Sequence, residues 1–80
     1  MNINQSKLIE TFAKALNVSS EIITDELSYQ SIPEWDSVSH MVLISFLEEA
    51  FEVSIDTDDV IDLSSVAKAR EILKKLNISF

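Results

Sequence analysis

Apolar residues in this chain recur at helical spacing in three separate stretches, and no period-2 alternation persists for more than a few residues. That periodicity restricts the chain to packed helices. In residues 5–16, Leu8, Phe12, Ala15 and Leu16 share one stripe, with Asn4 as the expected N-cap. Residues 37–51 place Leu43, Leu47, Ala50 and Phe51 at i, i+4, i+7 and i+8, and Ile44 borders that face. Asp36 is the expected N-cap of this stretch, and Pro33 keeps the backbone before it extended. In residues 65–76 the stripe is Val66, Ala69, Ile72, Leu73 and Leu76, with Ser64 as the expected cap. Lys74 and Lys75 fall in its last turn, where cations favour the helix dipole.

Two segments lie between these helices. Residues 56–63 are short and acidic and predict one helical turn anchored by Val60, Ile61 and Leu63. Residues 17–35 form a long connection. Its Val18, Ile22, Ile23, Leu27, Tyr29 and Ile32 are expected to lie over the bundle, and Trp35, close to Pro33, to pin the loop to the core. The expected fold is all-α: a bundle of three main helices plus one short helix, with a long first loop. Eighty residues make a single domain, 1–80. A chain of this size buries only about 60–65% of the surface it exposes when unfolded, so its core is thin.

Composition removes several functional classes. There is no cysteine, hence no disulfide framework and no thiolate metal site, and a lone histidine leaves no usual zinc pattern. The start of the chain lacks a basic segment followed by an apolar one, and the longest apolar run, residues 41–44, is far too short to span a bilayer. The expectation is a free-standing cytoplasmic monomer. The net charge is −8, and no Lys or Arg occurs between Lys14 and Lys68. Such a surface repels nucleic acid and anionic membranes and attracts proteins with basic patches.

Two catalytic or metal patterns fail on inspection. Asp36, Ser37 and His40 are hydrolase residue types, but Ser37 and His40 stand roughly 60° apart on a helix, and a triad needs its members in line. No glycine is present to form a nucleophile elbow or an oxyanion turn. His40 reads instead as a partly buried helix histidine. Asp56-Thr57-Asp58-Asp59 begins like a calcium loop but continues with Val60, Ile61 and Ala67 where the loop requires a polar residue, glycine and glutamate. No metal site is expected, and no catalysis.

The informative segment is Glu34-Trp35-Asp36-Ser37-Val38-Ser39-His40-Met41. Asp36-Ser37-Val38, at a helix start near the middle of an acidic chain, resembles the Asp-Ser-Leu signature of the acyl carrier protein family. Leu47-Glu48-Glu49-Ala50-Phe51-Glu52-Val53-Ser54-Ile55 closes the second helix as carriers do. The resemblance covers nearly the whole chain and is weakest before residue 20. It implies a 4′-phosphopantetheine arm, donated by coenzyme A through a phosphopantetheinyl transferase, attached covalently to Ser37 beside the helix cap Asp36. The terminal thiol of that arm would hold an acyl or aminoacyl group as a thioester. The other class compatible with the fold is an unmodified carrier-fold module that binds proteins non-covalently.

Glu34 and Trp35 stand where fatty-acid carriers typically have Gly-Ala, and Ser39 and Val42 replace acids frequent in those carriers. This points to a specialised stand-alone carrier. Projected at 100° per residue, Val38, Met41 and Val42 lie opposite the core face of the second helix, interleaved with Glu48 and Glu49. These five residues are the expected docking strip for cargo-loading and cargo-receiving biosynthetic enzymes with basic patches. The phosphodiester is expected at the positive end of the helix, near free backbone N–H groups.

Overall fold

The computed structural model describes residues 2–80. Helix α1 spans Ile3–Leu16, α2 Ser37–Phe51, α3 Thr57–Asp62 and α4 Val66–Lys75, and a 3₁₀ turn occupies Ser20–Ile22 in the first loop. This is the all-α arrangement the periodicity predicts. Among the described residues there is no strand, only an antiparallel bridge between Ser28 and Ser65. There the Tyr29 N–H donates to the Ser64 carbonyl (2.9 Å) and the Val66 N–H to the Leu27 carbonyl (3.1 Å), which fastens the loop to the start of α4.

The helix starts differ from expectation at two places. Asn2, not Asn4, caps α1: its Oδ1 accepts from the Gln5 N–H at 3.1 Å. Asn4 lies inside the helix and donates from Nδ2 to the Ser79 carbonyl. Ser65, not Ser64, caps α4 by accepting the Lys68 N–H at 3.0 Å. In both cases two good capping residues stand close together, and contacts distant in sequence decide between them. Asp56 caps α3 through the Asp59 N–H.

The helix ends are made without glycine. Asn17, Glu52 and Asn77 take positive φ (57°, 55° and 74°) just past α1, α2 and α4. After each, the next N–H reaches a carbonyl five residues back: Val18 to Ala13, Val53 to Glu48 and Ile78 to Leu73. This is the Schellman closure, which satisfies carbonyls a helix otherwise leaves bare. Lys7 of α1 helps at α2: its Nζ donates to the Ala50 carbonyl at 3.3 Å and lies 5.2 Å from the centre of the Phe51 ring.

The core is assembled from Leu8, Phe12 and Leu16 of α1, Leu43, Ile44, Leu47 and Phe51 of α2, and Val66, Ala69, Ile72 and Leu73 of α4. The loop contributes Ile23, Leu27 and a fully buried Trp35, whose indole meets the Phe12 ring edge-on at 5.4 Å. In α3, Val60 is partly buried and Leu63, the C-cap just past its end, is buried, but Ile61 is 75% exposed and anchors nothing. Positions 60 and 63 share a helix face, and 61 is turned about 100° away from 60. Ile22 is likewise exposed while its neighbour Ile23 is buried.

Candidate functional site

The approach to α2 is set by the contrast between one buried residue and its exposed neighbours. Trp35 is wholly inside, and the next three residues, Asp36, Ser37 and Val38, are exposed. Two turns lead into it: the Trp35 N–H donates to the Ile32 carbonyl (3.1 Å), and the Gln30 N–H, from a residue at φ 65°, donates to the Trp35 carbonyl (3.0 Å). Ser37 therefore becomes the first residue of α2, on a rigid element, with its side chain open to solvent. Among the described residues no hydrogen bond engages its hydroxyl.

A reciprocal capping box holds the turn. Asp36 Oδ1 accepts from the N–H groups of Val38 (3.1 Å) and Ser39 (2.9 Å). In return the Asp36 N–H donates to Ser39 Oγ at 2.9 Å, and that hydroxyl lies 2.6 Å from the Glu34 carbonyl, to which it donates. Hydrogen bonds from the Ser39 N–H, then from its hydroxyl, outweigh desolvation and lower the Asp36 pKa below the ordinary aspartate value. Ser39 is thus a capping residue, and its hydroxyl both accepts from Asp36 and donates to the Glu34 carbonyl, whereas an ionised acid at that position could only accept. The same box corrects one expectation. The N–H groups of Val38 and Ser39 are taken by Asp36, so they are not free for a phosphate on Ser37. What remains for an anion is the helix field and the unengaged Ser37 N–H.

The strip expected on the outside of α2 separates into two parts. Val38 is 73% exposed, Met41 58% and Val42 39%, with Glu49 exposed about two turns beyond Val42 on the same helix. Glu48 is half-buried, and its Oε2 accepts from the Ile55 N–H at 2.8 Å, tying α2 to the chain that follows it. Phe46, which the helical projection passed over, is 40% exposed and lines a shallow groove of 310 Å³ with Thr11, Lys14, Glu49 and Ala50. Its position, one residue off the core face, was the available signal. His40 is half-buried, as expected, between Trp35 and α3. Among the described residues no three His, Asp or Glu side chains gather as a metal-binding group, and no helix is long and apolar enough to cross a membrane.

Residues 6–73 match the family model described as "Phosphopantetheine attachment site". The chain belongs to that family. It is also similar to curated proteins named "Acyl carrier protein". That of Syntrophobacter fumaroxidans is 34% identical over 71 residues, covering 89% of this chain and 88% of the relative. That of Lactobacillus johnsonii is 28% identical over 69 residues, covering 86% of each, and that of Buchnera aphidicola 29% over 77 residues, covering 96% and 98%. The chain is therefore a phosphopantetheine-bearing carrier protein, of a family that carries rather than catalyses. Members of the family work with a transferase and with partner biosynthetic enzymes.

Proposed function

We propose that Ser37 is the residue that receives 4′-phosphopantetheine. The observation that carries this reading is an exposed, unengaged serine hydroxyl at the first position of α2, held by the Asp36 and Ser39 box within a chain of the phosphopantetheine attachment family. In the transfer, Ser37 Oγ forms a phosphodiester bond to the pantetheine-side phosphorus of coenzyme A. The P–O bond of the diphosphate breaks, adenosine bisphosphate leaves, and the serine proton passes to a base on the transferase. Asp36 and Ser39 act by fixing the turn.

The arm's terminal thiol then carries an acyl or aminoacyl group as a thioester, and partners dock beside it on Val38, Met41 and Val42, with Glu49 facing their basic residues. An exposed apolar strip rimmed by carboxylates suits brief contacts with more than one enzyme, and the Met41 side chain adapts to different surfaces. Glu48 adds charge to this rim, but its carboxylate already serves Ile55. The chain acts as a carrier domain, monomeric and in the cytoplasm.

The test is the intact mass of the purified protein after incubation with coenzyme A and a broad-specificity phosphopantetheinyl transferase. Wild type gains one phosphopantetheinyl group and Ser37→Ala gains none. A wild type that stays unmodified with every transferase tried would favour a non-covalent interaction module instead.

A further inference from the structure

His40 lies one turn beyond Ser37, and its two ring nitrogens face partners of opposite kind. Nδ1 is 2.9 Å from Trp35 Nε1, and Nε2 is 2.9 Å from the Val60 carbonyl oxygen. An indole N–H can only donate, and a carbonyl oxygen can only accept. Both contacts are hydrogen bonds only if the ring is neutral with its proton on Nε2. Protonating Nδ1 would set one N–H against another, and the fully buried Trp35 has no water to turn to.

The ring joins three elements: the first loop through Trp35, the first turns of α2 through its own backbone, and α3 through Val60. The groups around it supply no counter-charge in direct contact. From the loop the Tyr29 ring packs against it at 5.2 Å. On its own helix, Asp36 turns its carboxylate to Val38 and Ser39. From α3, Asp59 is held by Lys75 at 2.7 Å, and Asp56 accepts the Asp59 N–H. Among the described residues no ion pair includes His40.

We propose that His40 is a positioning residue whose neutral Nε2–H form latches α3 to the turn of α2 that carries Ser37, and that protonation of the ring opens this latch. With the latch closed, α3 and the start of α2 move as one surface. With it open, α3 keeps its Leu63 anchor and its Lys75 ion pair but loses its tie to the serine-bearing turn. The consequence for a cargo arm rests on the reading of Ser37 as attachment site, whereas the latch itself does not.

The experiment follows the His40 ring C–H resonances, the Trp35 indole N–H resonance and the amide exchange protection of Val60 and Leu63 in unmodified protein as the pH is lowered until the ring is protonated. In wild type the indole resonance shifts as the ring protonates, and protection in α3 falls several-fold while that of α1 holds. His40→Phe keeps a ring without the two nitrogens and resembles acidic wild type at every pH. His40→Gln offers an acceptor oxygen and an NH2 donor group, so it restores α3 protection and removes the pH dependence. The proposal is overturned by indole and α3 signals that do not respond when the ring protonates, by equal loss in α1 and α3, or by a Gln variant as pH-sensitive as wild type. Modification of Ser37 is measured in parallel by mass. Flat latch signals in a protein that is modified overturn the latch alone, and a working latch in a protein that is never modified overturns the attachment reading alone.

Discussion

Glu52 sits in the left-handed region at φ 55°, ψ 49°, with a side chain that gains nothing there. Asn17 and Asn77 hold comparable positions at lower cost, because asparagine tolerates that region better than glutamate. Glu52→Gly should therefore raise the unfolding free energy by roughly 0.5–1 kcal/mol, read from urea denaturation. The Asp25 and Arg70 pair makes a second residue-scale case. Arg70 donates to both Asp25 oxygens and, through Nε, to Gln5 Oε1 at 2.9 Å, joining loop, α4 and α1. The hydrogen bonds from Arg70 lower the Asp25 pKa, against a smaller desolvation effect. A depressed carboxylate pKa contributes stability above its unfolded value and loses it as pH falls through the folded one. The Asp25 side chain is 53% exposed, so the pair is worth only about 1 kcal/mol. Asp25→Asn should cost that amount near pH 7, and the difference from wild type should start to shrink near pH 3.8 and vanish once the pH is below the lowered pKa of folded Asp25.

At the scale of elements, Trp35 does most to place the serine. It fills the space between loop and bundle, and Asp36 and Ser37 follow it directly into solvent. Trp35→Ala should destabilise by about 3–5 kcal/mol, measured by thermal or urea unfolding. The sequence made this arrangement legible where spacing repeats over several turns. The stripes of α1, α2 and α4, the Asp36 cap and the anchoring role of Trp35 could be read because each rests on local chemistry. The caps of α1 and α4 were displaced because Asn2 competes with Asn4 and Ser65 with Ser64, and only the pairing with Ser79 and Tyr29 separates them. Ile61 misled because a six-residue helix is too short for a stripe to show which face is buried. Engagement of the Val38 and Ser39 N–H groups is what an Asp36 cap entails, whereas engagement of the Glu48 carboxylate depends on side-chain geometry that no periodicity encodes.

At the scale of the molecule, charge divides the surface. All six Lys and Arg residues belong to α1 and α4, and α2, α3 and the first loop carry most of the acids. Of these acids, Glu49 stands exposed about two turns beyond Val42, and among the described residues no hydrogen bond or ion pair ties it as the Ile55 N–H ties Glu48. Glu49→Lys should slow phosphopantetheine transfer several-fold at low salt, and the difference should shrink as the screening length drops below about 10 Å near 0.1 M salt. Met41→Asp should slow transfer at all salt concentrations while leaving the circular dichroism unchanged. The central claim concerns one oxygen atom, and Ser39 and Ser45 lie on the same helix as alternatives. After modification, cleavage at Glu34 and Glu48 releases residues 35–48, and fragmentation of that peptide locates the added mass. The account predicts one phosphopantetheinyl group, all of it on Ser37. The same group on Ser39 or Ser45, or a peptide that carries none when the intact protein is modified, would contradict it.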